Sequence, residues 1–175
     1  MKRLFIIVQI LFTIQMANSQ TSWQEEFAKQ IPALGHRNWV LVVDAAYPLQ
    51  SNPGITTIVT GADQLEVVKK VLEAIKRSPN ITPEIFLDKE IDFVPEKEAS
   101  GIKDYKKQLD RLLKDEKVDK VLHEKLISDV DEAAKLFNIL VLKTNLTIPY
   151  TSVFIRLDCG YWNAEQEQKM RELMK

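Results

Sequence analysis

Cysteine is almost absent from this chain: Cys159 is the single thiol in 175 residues, so no disulfide can form within it. A lone thiol between Leu157 and Gly160 reads as buried packing rather than as a nucleophile. Histidine is nearly as scarce. His36 and His123 are the only two, and no His-x-x-x-His or Cys/His pair supplies metal-ligand spacing, so no metal site is expected. An excess of charge is also missing. With 24 Lys and Arg against 25 Asp and Glu, the interspersed signs give no electrostatic case for nucleic acid or an anionic membrane as partner. No internal repeat or low-complexity segment is visible.

Only one long apolar run exists, Leu4 to Ile14, and it follows the cations Lys2 and Arg3. It is short of the roughly 20 residues of a transmembrane helix, and Gln9 interrupts it. Small residues follow in Ala17-Asn18-Ser19, the layout of a cleavable export signal, with a retained membrane anchor as the alternative. We therefore expect a signal peptide over 1–19, a single domain over 20–175 and a periplasmic or secreted protein with no membrane association after cleavage. The remaining chain, about 155 residues, is long enough to bury one sizeable core.

Hydrophobic periodicity then predicts the elements. Trp23, Phe27 and Ile31 fall four apart on a short helix ended by Pro32. Trp39-Val40-Leu41-Val42-Val43 is a continuous apolar run, as in a strand buried on both faces, and is closed by Asp44. After a Pro- and Gly-containing loop over 47–54, Ile55 to Thr60 reads as a short strand. Asp63 is placed as the N-cap of a helix whose Leu65, Val68, Val71, Leu72 and Ile75 recur at helical spacing. Glu84 to Leu87 and Ile91 to Val94 are strand candidates around a charged turn. Lys103 to Val121 reads as a charged helix with an apolar stripe, and Leu126 to Phe137 as another helix. Strands are expected at 139–143 and 152–157, and a polar terminal helix from Ala164. Helices alternating with buried strands predict an α/β domain with a mixed, largely parallel sheet flanked by helices.

Ligands of open α/β sheets bind at the carboxyl ends of strands, where Asp44 and Tyr47 stand, with His36 in the loop before the same strand. A carboxylate closing an apolar strand either caps a loop or faces a ligand. His123, in a charged helix, reads as a surface residue.

Two segments carry a resemblance. Gly35-His36 through Asp44-Ala45-Ala46-Tyr47-Pro48, with an Asp eight residues after the His, is similar to the amino-terminal signature of the D-ribose pyranase and L-fucose mutarotase family. Val141-Leu142-Lys143-Thr144 through Pro149-Tyr150 to Ile155 resembles the family's last two strands and their Pro-Tyr turn, and the resemblance spans about Ile31 to Tyr161. It implies interconversion of the anomers or ring forms of a free monosaccharide without a cofactor, in a ring-shaped homo-oligomer with sites near subunit contacts. By matching position, His36 would transfer the proton, Asp44 would orient it or accept from sugar hydroxyls, and Tyr150 would be the second donor. Lys143, Ser152 and Asp129 would contact the substrate. A histidine suits acid/base work because its ordinary pKa, about 6.5, lies near neutrality.

Departures from the pattern also stand out. The family's second histidine, at the start of the helix before the penultimate strand, is expected at Ser128 or Asp129, neither a histidine; Asp129 would stand in as a base. The glutamate of the family's turn is replaced at Leu146. These losses make a non-catalytic periplasmic sugar-binding or sensing domain the alternative, and a scaffold assembling through charged helices a third reading. Tyr161 and Trp162 could stack on a sugar or anchor the terminal helix.

Overall fold

The computed structural model describes residues 22–174, so the expected signal segment over 1–19 and its cleavage point lie outside the described residues. The chain runs α1 (Trp23–Gln30), β1 (Trp39–Val43), β2 (Ile55–Val59), α2 (Gln64–Lys76), β3 (Ile81–Asp88), α3 (Ile102–Leu112), β4 (Val118–Val121), α4 (His123–Ala133), β5 (Ile139–Lys143), β6 (Val153–Cys159) and α5 (Ala164–Leu173). The six strands form one sheet in the order β2-β5-β1-β6-β3-β4.

β1 is central because every one of its side chains is apolar and has a layer to enter. Val40 and Val42 join the core beneath α1, α2 and α3, while Trp39, Leu41 and Val43 join the core beneath α4. A continuous apolar run suits a strand covered on both faces, as the sequence indicated. β1 pairs in parallel with β5, and β5 with β2. β6 lies antiparallel between β1 and β3, and β3 is parallel to β4. Thus β6 alone runs backwards. The carboxyl ends of β1 to β5 and the amino end of β6 therefore share one edge of the sheet.

Local capping explains where helices begin. The Ser22 hydroxyl accepts from the Glu25 amide in a capping box, and the Asp63 carboxylate accepts from the amides of Leu65 and Glu66. Gly54 admits a close approach. A Cβ there would lie 2.5 Å from the Ala134 carbonyl, so the loop before β2 seats against the end of α4 only because it lacks a side chain. Among the described residues no helix is long and apolar enough to cross a membrane.

Two expected elements are corrected. The strand expected at 91–94 is a 3₁₀ turn over Lys89–Asp92, because both edges of β3 are already taken by β4 and β6 and Ile91 turns into the core. The charged segment from Lys103 to Val121 is not one helix: it contains α3 and then the strand β4, whose Asp119 and Lys120 are the exposed charges of an edge strand.

One buried polar side chain ties the layers together. Gln64, the first residue of α2, donates through its amide to the Tyr105 hydroxyl (3.0 Å) and to the Thr151 carbonyl, and lies 3.0 Å from the Thr144 hydroxyl. Tyr105 also donates to the Thr151 carbonyl at 3.0 Å. This fixes the turn between β5 and β6 from beneath. Replacing Gln64 by Leu should lower the unfolding free energy by about 1–3 kcal/mol in urea melts, the cost of unpaired buried polar groups. The exposed neighbour change Lys69→Gln should cost less than about 0.5 kcal/mol. Equal effects would contradict the role given to Gln64.

Candidate active site

The shared edge of the sheet carries a cavity of about 640 Å³, within the usual range of small-molecule sites. Asp44, Tyr47, Asp88, His123, Ile127, Ile148, Tyr150 and Ser152 line it. Topology alone brings them there: Asp44 follows β1, Asp88 ends β3, His123 follows β4, and Tyr150 to Ser152 lead into β6.

Asp44 closes its own turn, one carboxylate oxygen accepting from the Ala46 amide at 2.7 Å. The Ala45 amide donates to the Leu146 carbonyl, which holds this turn against the β5–β6 connection. Tyr150 adopts a left-handed backbone at φ 57°, an uncommon conformation for a side chain of its size. The Thr151 hydroxyl donates to the Ile148 carbonyl and closes that turn. The result is a ring 40% exposed at the rim, edge-on to His123 with centroids 5.6 Å apart.

His123 is held from three sides. Its backbone amide donates to both Glu90 carboxylate oxygens (3.2 and 3.1 Å), Tyr150 packs across its ring, and its Nδ1 lies 3.0 Å from Asp88 Oδ1. Asp88 is wholly buried. Burial pushes its carboxyl above the ordinary range, and the hydrogen bond from His123 works in the opposite direction. Tyr47 is pushed up to about 12, by burial first and then by the charges of Asp131 and Asp88, so its phenol stays protonated through the neutral range.

The predicted site residues separate into groups. Asp44, Tyr150 and Ser152 share the cavity. His36 does not meet them: it precedes β1 and therefore stands at the opposite edge, its Nδ1 3.1 Å from Asp158 at the far end of β6. Asp129 lies at that edge too, paired with Lys125 in a second, charged cavity of about 590 Å³ that also contains His36 and Arg156. Lys143 lines neither cavity; its ammonium donates to the Tyr47 carbonyl at 2.7 Å and clamps the loop after β1. Tyr161 is exposed, and the Trp162 indole donates to Glu167 in the first turns of α5, away from both cavities.

His123 and Asp88 are the residues that sequence reasoning missed. The helix before the penultimate strand begins at His123 rather than Leu126, so a histidine does stand where the family pattern asks for one, and Ser128 is an exposed residue further along that helix. Leu146, which replaces the pattern's glutamate, packs against the core. Asp88 carried the same signal as Asp44, a carboxylate ending an apolar strand.

A fold that holds the Asp88 carboxyl above its ordinary value is disfavoured when that carboxyl ionises. The cost is absent below the unfolded value near 4 and grows as pH rises through the folded value. Asp88→Asn should therefore raise Tm at pH 7 by a few degrees, with the gain disappearing toward about pH 4. A lower Tm at pH 7 would contradict this.

Comparison with known proteins agrees with the architecture. Bacillus subtilis RbsD, solved in complex with D-ribose, superposes with a TM-score of 0.54 at 15% identity, covering 79% of this chain and 93% of that one. The fucose mutarotase of Streptococcus pneumoniae, solved in complex with L-fucose, gives 0.52 at 14% identity with the same coverage. FucU from Bifidobacterium longum gives 0.51 at 16% identity, covering 79% of this chain and 95% of that chain. No curated protein matches the sequence significantly. The model of the RbsD / FucU transport protein family matches residues 18–159, from before α1 to the last residue of β6, and the chain belongs to that family.

Proposed function

We propose that this chain binds a free monosaccharide in the carboxyl-edge cavity and interconverts its anomers or ring forms by cofactor-free ring opening. The observation that carries the reading is the convergence of Asp44, His123, Tyr150 and Ser152 on one cavity. Solved relatives in complex with D-ribose and L-fucose support the substrate class.

The chemistry needs a base for the anomeric hydroxyl proton and an acid for the ring oxygen. As the proton leaves, the anomeric C–O ring bond breaks, the ring oxygen takes up a proton, and the open aldehyde recloses on either face. His123 is the proton-transfer group of this cavity, because an imidazole exchanges protons near neutrality. Tyr150 donates a hydrogen bond to a sugar oxygen, and Ser152 and the second oxygen of Asp44 engage hydroxyls. Ile127, Ile148 and Pro149 offer an apolar wall to the C–H face of the ring.

His36 enters this chemistry through a second copy. In a ring-shaped homo-oligomer, the His36–Asp158 edge of one subunit closes the open cavity of the next; the eight-residue spacing from His36 to Asp44 then marks two half-sites. Export with a cut near Ser19, to the periplasm or the exterior, belongs to the same proposal, and the mass of the mature protein tests it. The non-catalytic alternative rested on a missing second histidine and a missing glutamate; His123 removes the first ground, and Leu146 still stands in place of the glutamate.

Saturation-transfer NMR on a panel that includes D-ribose and L-fucose should show accelerated exchange for at least one sugar. His123→Gln, which keeps a donor for Asp88, should slow it by about 100-fold. No acceleration for any sugar that binds would overturn the reading. Coexpressed His36→Ala and His123→Gln chains should recover activity that each lacks alone, and no recovery would contradict the shared site.

A further inference from the structure

Among the described residues, Asp88 Oδ2 is the one buried side-chain oxygen or nitrogen without a hydrogen-bond partner. A buried carboxylate with an empty oxygen costs stability, and such groups concentrate where a fold serves a site. We propose that Asp88 is the positioning residue for His123: it accepts the Nδ1 proton, fixes the Nδ1–H tautomer and leaves the Nε2 lone pair for the cavity. The kinetic part of this proposal rests on the sugar reading above; the tautomer does not.

Asp88 is packed beside the imidazole. It is the last residue of β3, in register with Val121 of β4, and is buried in the wall of the cavity. Among the described residues no lysine or arginine pairs with it, and Lys120 of the neighbouring strand is paired with Asp92. The ring is also held, with its backbone on Glu90 and Tyr150 in a T-shaped contact with it. Nδ1 faces Asp88, so Nε2 lies across the ring from it, and His123 lines the cavity. An ionised carboxylate is acceptor-only, which places the shared proton on Nδ1.

The proton balance is simple. Nε2 takes the proton from the anomeric hydroxyl, giving an imidazolium beside the Asp88 carboxylate, and passes it to the ring oxygen as the C–O bond breaks; on reclosure Nε2 takes the proton back from that hydroxyl and returns it to the new anomeric oxygen. Asp88 keeps its charge throughout. The other groups facing the pair are Glu90 from the 3₁₀ turn, Asp44 after β1 and the protonated Tyr47, whose own neighbour is Asp131.

Nitrogen-15 NMR of histidine-labelled protein reads the tautomer directly. Only two histidines contribute, and His36→Gln assigns them. Above its titration, His123 should carry hydrogen on Nδ1 and none on Nε2. In Asp88→Asn its titration midpoint should fall by about 1 pH unit or more. Sugar exchange should slow at least about tenfold, through kcat rather than KM, with the pH profile displaced in step. An Nε2–H tautomer in the wild-type protein, which needs no variant to fold, or an unmoved midpoint in Asp88→Asn would overturn the proposal. The expected tautomer and midpoint shift without any sugar exchange would uphold Asp88 and overturn the sugar reading instead.

Discussion

The burial of β1 on both faces is the constraint on which the rest depends. Its five residues are flanked by β5 and β6 and covered by helices above and below, so the strand has one position and one direction. An extended strand rises about 3.3 Å per residue, so five residues hold their two flanks roughly 17 Å apart. Asp44 is therefore committed to one edge of the sheet and His36 to the other. Two surfaces follow from that single element, a largely apolar cavity with buried acid/base groups and a charged groove, and the proposed cooperation of the two in one reaction would take two chains.

The carboxyl-edge cavity is organised against the preferences of isolated parts. Tyr150 accepts a left-handed backbone, Asp88 is buried with an unpaired oxygen, and the charges of Glu90 and Asp44 bear on that same carboxyl. Each is unfavourable alone. They are sustained by a rigid surround in which Gln64, Tyr105 and Thr144 lock the β5–β6 turn and Glu90 secures the start of α4. Where a sheet pre-arranges such groups, an imidazole can exchange protons without first reorganising its neighbours.

Much of the fold was legible because the relevant signals are local. β1, α2 and β5 announce themselves by continuous or periodic apolar residues and, for α2, by the Asp63 cap. β4 was hidden because an edge strand carries charges and has little apolar signature. His123 was hidden for a different reason. Leu122 precedes it without any capping side chain, and the carboxylate that satisfies the helix start comes from Glu90, more than thirty residues earlier. The site followed the same logic: Asp44, Tyr150 and Ser152 sat in a recognisable motif, whereas Asp88 and His123 gain their meaning only when β3 and β4 pair side by side. The placement of His36 required knowing which edge each strand end reaches.

The most direct test of the central claim, that the sugar occupies the carboxyl-edge cavity, is amide shift mapping during titration with D-ribose and L-fucose. The account predicts saturable shifts at Asp44 to Tyr47, His123 to Ile127 and Tyr150 to Ser152, accompanied by His36 and Asp158 at the proposed subunit contact. Shifts confined to the charged edge around His36 and Arg156, without the cavity, would contradict it.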